Sequence, residues 1–340
     1  MAQAAWCPVD TRVVRLTAAE IVAALEQEKR EHERISARSD ALAKTTRPPG
    51  EGSLLIGVTT RVWSYTSSPN PFFTAMLVGM RERASASGCH IVLLGAADDD
   101  DPQAYVCCCR EHGIGGVVYH GVDPDDPGAG HVRALLDAGI PCVSVDAGGF
   151  GVALGHVSSD NVSAASDAVR HLYSLGRRRI ATIAGPPEAL AASERLLGYR
   201  TGLEQVGLPF REEYVAQGDY FYESGLTAAC VLLALAEPPD AIFAAADVMA
   251  IAAIKVIQES GLRVPEDIAV VGFDDIEYAA LLSPQLTTMR QDCGGLGAAA
   301  VEALLRMLTR PDKTPQEVVL PVELVVRESC GARTPMATAS

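Results

Sequence analysis

Two adjacent carboxylates at the tip of a buried strand are the residues of this chain best placed to do chemistry. Residues 268–272 (IAVVG) form a short apolar run of the kind covered on both faces, and Phe273, Asp274 and Asp275 follow at its carboxyl end. In open α/β sheets small ligands are held at that end. Asp is also a favoured N-cap, so one of the pair is accounted for by capping a helix entered near Ile276, which leaves the second free to accept hydrogen bonds. The other reactive cluster, Cys107, Cys108 and Cys109, points three ways on a helix and offers no shared metal geometry. The nine cysteines show neither a framework spacing nor a CxxC pair, so reduced thiols are expected and no metal or cofactor is. Neither a GxSxG nucleophile motif nor a phosphate loop occurs, which argues against an enzyme.

The elements that must position those carboxylates are strand and helix units in alternation. From residue 54 the runs LLIGVTT, HIVLLGAA, GVVYHG and PCVSVDA read as strands separated by helices, the first spanning residues 70–88 and ending on Gly88. A second series follows, with strands in RRIATIAG, YVAQGDY, AIFAAAD and IAVVGFDD and helices over 161–176, 189–206, 223–236 and 247–261. Such units build parallel sheets through right-handed crossovers, and the number of strands implies two sheets. At 340 residues and 48% apolar content the chain can build two cores. No apolar run reaches the roughly 20 residues that span a bilayer, and the first residues lack an export signal, so a cytoplasmic protein is expected. A net charge of -15 argues against nucleic-acid binding through the body of the chain.

After Thr287 a further strand, helix and strand run (TTMRQD, 296–308, VVLPVELVVRES) is consistent with the chain passing back between completed lobes. The fold class expected is α/β, with two doubly wound parallel-sheet lobes joined by a hinge of several crossings. The partition is 1–52 as a charged helix and linker, 53–157 with 288–312 as the first lobe, 158–287 with 313–330 as the second, and 331–340 as a small, polar, disordered tail.

The segments NPFF (70–73), GIPCVSVD (139–146), SSDN (158–161), LGRRRIATIAGPP (175–187), ERLLGYRTGL (194–203), YESG (222–225), GLRVPEDIAVVGFDD (261–275), SPQLTTMRQ (283–291) and LVVRES (324–329) resemble, in order, the effector-binding core of the lactose-repressor (LacI/GalR) family. That resemblance covers about residues 54–329 and implies the type I periplasmic-binding-protein fold, with a sugar, nucleoside or polyol held between the lobes. Carried over by position, it implies a pocket of Phe72, Phe73, Asp146, Asp160, Arg195, Tyr220 and Asp274. Arg offers fixed donors and ionised Asp accepts, so the two satisfy neighbouring hydroxyls in opposite senses, with aromatic faces as the wall. Other roles stay open for several of these. Phe73 sits at helical spacing from Leu77, as a core residue would; Arg195 has Glu188 and Glu194 as ion-pair partners; Asp160 stands where a cap for the helix from Asn161 would.

Departures from the family pattern also carry information. Ala246 stands where many members have Asn, and residues 187–192 (PEALAA) are poor in polar side chains. Losing two or three polar contacts at about 1 kcal/mol each weakens a typical sugar by one to two decades, which points to a less hydroxylated effector or another pose. The longer loop 60–69 brings Trp63 and Tyr65 towards the cleft mouth. Residues 1–50 show no helix-turn-helix pattern. Residues 17–42 read instead as one charged helix, with Thr17 and Glu20 as a capping box, and eight Lys and Arg stand against seven Asp and Glu in the first 50 residues. The reading is a LacI-type regulator and homodimer that binds operator DNA by family analogy and responds allosterically to a small effector. A ligand sensor that signals to a partner protein without DNA, and a solute-binding protein, are the alternatives.

Overall fold

The structure, a computed structural model, describes residues 54–60, 71–94, 101–121, 129–148, 154–310 and 317–332. The helix expected over 17–42, the aromatics Trp63 and Tyr65 and nearly all of the tail lie outside these residues. Strands β1 (Leu55–Thr60), β2 (His90–Leu93), β3 (Ile114–His120), β4 (Cys142–Val145) and β5 (Gly155–Ser159) alternate with helices α1 (Pro71–Ala86), α2 (Pro102–Glu111) and α3 (Ala129–Asp137). Next come α4 (Asn161–Ser174), β6 (Ile180–Ala184), α5 (Leu190–Gln205), β7 (Val215–Gln217), α6 (Tyr222–Leu233), β8 (Ala241–Ala244), α7 (Asp247–Glu259) and β9 (Ala269–Asp274). The last elements are β10 (Thr287–Gln291), α8 (Cys293–Thr309), β11 (Glu317–Leu320) and β12 (Val322–Val325).

These strands form two six-stranded sheets, ordered β11-β5-β4-β3-β1-β2 and β12-β10-β9-β8-β6-β7. All pairings are parallel except β12 against β10. The order doubles back at β1/β3 and at β6/β8, which is the doubly wound arrangement, and each sheet is covered on both faces by helices. Burial explains why the strands read as apolar runs: β4, β6, β8 and β9 are buried at every residue. Helix pairs on the faces come very close. A Cβ on Gly297 of α8 would lie 2.0 Å from Met76 O of α1, and one on Gly198 of α5 would lie 2.3 Å from Val162 O of α4.

Three segments cross between the sheets among the described residues: β5 into α4 at Asp160, β10 into α8 at Asp292, and β11 into β12 at Pro321. This corrects the expected partition of the last third. Residues 288–312 divide, because β10 belongs to the second sheet: Met289 is buried with Phe243 and Phe273, and Thr288 Oγ1 donates to Asp247 Oδ1 at 2.5 Å. Only α8 joins the first core. Residues 313–330 divide too, since β11 pairs with β5 while β12 pairs with β10. Pro321, which cannot donate a ladder hydrogen bond, marks the break in what reads as one strand.

Candidate functional site

Arg195 is the centre of the site. It lies on the inward face of α5 and is 4% exposed, where a cation must be paired. Its Nε donates to Asn161 Oδ1 at 2.8 Å and its Nη1 to Ala245 O at 2.7 Å, while its guanidinium carbon sits 3.8 Å above the Phe273 ring. Asn161 is fixed in turn by donating to Glu194 Oε2 at 2.9 Å. Each contact comes from a different element, α4, the end of β8 and β9, so the fold itself aims the guanidinium.

Asp274 ends β9 with φ 120°, and its Oδ1 lies 3.8 Å from Arg195 Nη1. Gln291, at the end of the neighbouring β10, donates to the same oxygen at 2.7 Å. Burial pushes the Asp274 carboxyl up to about 6 against the opposing pull of Arg195 and Gln291. Asp146 directly follows β4 in the first sheet with φ 52°, and burial raises its carboxyl as well, opposed by the charge of Arg195. Its Oδ1 is buried without a hydrogen-bond partner among the described residues, as are Ser159 Oγ and Gln291 Oε1. Buried acceptors left unpaired are costly, and a ligand hydroxyl placed beside them would satisfy such groups. The carboxyl ends of both sheets thus contribute one carboxylate each to the surroundings of one arginine.

Tyr220 adds an apolar face. It has φ 72° and its ring centroid lies 5.8 Å from the Arg195 guanidinium carbon. The ring lies against the backbone of Gly185, where a Cβ would come within 2.5 Å of it. Phe72 and Phe73 are buried in the first core, with ring centroids 5.5 and 5.6 Å from that of His120 at the end of β3. Burial lowers that imidazole to about 4, so it is neutral at pH 7. Asp160 is the N-cap of α4, its Oδ1 accepting from Ser163 N at 3.1 Å, and its own N–H donates to Leu320 O across the hinge.

Of the residues named from sequence, the structure groups Asp146, Arg195, Tyr220 and Asp274. Phe72 and Phe73 are buried in the first core beside His120, and Asp160 caps α4. Neither Asp274 nor Asp275 caps a helix: a short 3-10 turn (Glu277–Ala280) follows, with Ile276 as its N-cap. Asp275 is paired to Arg290 and Arg327, each at 2.6 Å. Sequence reasoning missed Asn161, Gln291 and Asp247. The last is wholly buried, accepting from Thr288 Oγ1 and from Ile276 N at 2.9 Å, and burial beside Asp274 holds its carboxyl well above the usual range. The available signal was the polar Gln at the end of a strand, TTMRQ, that runs beside IAVVGFD.

Residues 169–330 match the periplasmic binding protein-like domain. The HTH-type transcriptional regulator CelR of Thermobifida fusca is 36% identical over 265 residues, 76% of each chain, and the HTH-type transcriptional repressor CytR of Escherichia coli K12 is 33% identical over 77% of this chain and 76% of its own. The solved structure of a CelR–cellobiose complex superposes with a TM-score of 0.74 at 30% identity, covering 93% of this chain and 92% of the other. A LacI-family regulatory protein from Chloroflexus aggregans superposes with a TM-score of 0.72 at 26% identity, over 81% of this chain and 98% of its own. With that fold, those relatives and an arginine flanked by carboxylates from two sheets, the chain belongs to the LacI family of transcriptional regulators.

Proposed function

We propose that this protein is an effector-responsive transcriptional regulator, not an enzyme, acting in the cytoplasm as a homodimer. A small sugar-like ligand sits between the two sheets, and closure on it changes affinity for operator DNA. The observation that carries the reading is the Asp146–Arg195–Asp274 group: a buried cation and two buried carboxylates at the carboxyl ends of separate sheets, with acceptors still unpaired. A ligand hydroxyl that donates to Asp146 or Asp274 and accepts from Arg195 draws the lobes together and makes closure depend on the ligand. Tyr220 supplies the face for the apolar side of the ring. Ala246, buried beside the site without a polar side chain, supports an effector that asks for fewer hydrogen bonds there.

Cellobiose is the first probe because the similar CelR structure is a cellobiose complex. A thermal-shift screen of cellobiose, other disaccharides, nucleosides and polyols tests the pocket. A ligand at 100 times its dissociation constant adds about 2.7 kcal/mol of stability, enough to raise Tm by several degrees. Asp274→Asn and Arg195→Met are expected to cut the shift to about half or less; variants that keep the full wild-type shift place the pocket elsewhere. A second reading, a sensor that signals to a partner protein without DNA, is favoured by the net charge of -15 and by the absence of a helix-turn-helix pattern in residues 1–50. Mobility of the upstream DNA separates the two, since a salt-sensitive shift belongs to the regulator alone.

A further inference from the structure

The strand tip that carries Asp274 is strained, and the strain is held from the side away from Arg195. Asp274 and Asp275 follow one another with φ of 120° and 60°. Side chains other than glycine enter that region at a cost, and two in succession persist only where the surroundings over-determine the turn. Here they do. Arg290 Nε donates to Asp275 Oδ2 at 2.6 Å, and Arg327 Nη2 lies 2.6 Å from Oδ1, an ion pair without hydrogen-bond alignment. Arg327 is anchored in its turn: its Nη1 donates to Leu286 O at 2.7 Å and its backbone N–H to Thr287 Oγ1 at 2.9 Å. Its side chain is 14% exposed and that of Asp275 is 8% exposed, so water and salt screen this pair far less than a surface one.

The sheet register explains how one strand serves both carboxylates. Arg290 of β10 is the partner of Asp274 of β9, and Gln291 follows it. Successive strand residues point to opposite faces. Arg290 therefore reaches Asp275 on one side while Gln291 donates to Asp274 on the other. Arg327, two residues beyond the end of β12, the antiparallel neighbour of β10, closes the clamp from the next strand.

We propose that Arg327 and Arg290 are positioning residues for effector recognition: by clamping Asp275 they fix the left-handed turn that aims the Asp274 carboxylate at Arg195. The consequence for binding rests on the effector-site reading of Asp274; the consequence for the turn does not. Both arginines act through Asp275. Without the clamp the turn relaxes towards negative φ, and Asp274 leaves its buried place for water.

The test uses the full chain and follows the Asp274 carboxyl by 13C NMR, its resonance identified by its loss in Asp274→Asn. In the wild type burial pushes it up to about 6. In Arg327→Met it moves down by about one pH unit or more as the carboxylate regains water, and Arg327→Lys, which keeps the charge, restores it. An unchanged titration in both Arg327→Met and Arg290→Met overturns the proposal. Should Arg327→Met fail to fold, Arg290→Met decides alone, because the Arg290 side chain is half exposed. Cellobiose titration of the same variants gives the binding arm: a loss of about tenfold or more in Arg327→Met, rescued by Arg327→Lys, supports positioning, and wild-type affinity contradicts it. If no sugar binds the wild type, the effector reading fails, while the Asp274 titration still decides the clamp.

Discussion

Arg195 has committed donors on two sides before any ligand arrives, to Asn161 and to the Ala245 carbonyl, and these contacts hold its remaining N–H groups in place. Charge-assisted hydrogen bonds contribute about 1.5–3 kcal/mol each. Truncation to Arg195→Met is therefore expected to weaken effector binding by at least ten- to a hundredfold, read by calorimetry, and Asp274→Asn by a similar factor. The pH dependence follows from burial. The folded-state pKa of Asp274, about 6, lies above its unfolded value near 3.9, so the folded protein takes up the proton first. Its contribution to stability thus grows as pH falls through about 6 and levels off below about 3.9, opposite in sign to a salt-bridged carboxylate. Burial pushes Asp146 and Asp247 the same way. The urea midpoint of the wild type should gain on that of Asp274→Asn between pH 7 and pH 5; a constant difference would count against a raised pKa. Effector affinity runs the other way, falling below pH 6 as the acceptor is protonated.

The packing elements owe their closeness to glycines that sequence patterns do not single out. Gly297 lets α8 lie against α1, and Gly297→Ala would drive a methyl into the Met76 carbonyl. A loss of about 1–3 kcal/mol is expected, read as a lower urea midpoint with an unchanged slope. Most strands and helices were legible because covered parallel strands are continuous apolar runs and each helix keeps a 3.6-residue period. Where the elements escaped notice, the cause is specific. Strand β5 reads GHVSS, buried yet polar, since Ser144 Oγ pairs with His156 Nδ1 at 3.1 Å and Asp146 N–H donates to Val157 O at 3.0 Å. Strands β11 and β12 read as one run because Pro321 is a single residue in an apolar stretch, while their neighbours lie in different sheets. The site divided along the same line. Strand tips bearing Asp146 and Asp274 were readable, whereas Asn161 and Gln291 act through partners more than 15 residues away, which no local pattern records.

Among the described residues the two sheets are joined by three crossings, and each lies within two residues of a group at the candidate site or the hinge. Asp160 hydrogen-bonds Leu320 between two of them, and Asp292 caps α8 directly after Gln291, the donor to Asp274. The proposed effector contacts and the hinge are thus adjacent in sequence, which suits a device that converts closure into a relative movement of lobes. Coupling of this kind is reciprocal: whatever factor the effector applies to DNA affinity, DNA applies to effector affinity. Allosteric coupling is measured by titrating labelled upstream DNA with the full chain, with and without saturating cellobiose or the sugar found by thermal shift, paired with effector titrations with and without DNA. The expected change in DNA affinity is about 5- to 150-fold, mirrored by the same factor on the effector and displaced to at least tenfold higher effector concentration in Asp274→Asn. An effector that binds through Asp274 and Arg195 while leaving DNA affinity untouched would contradict it.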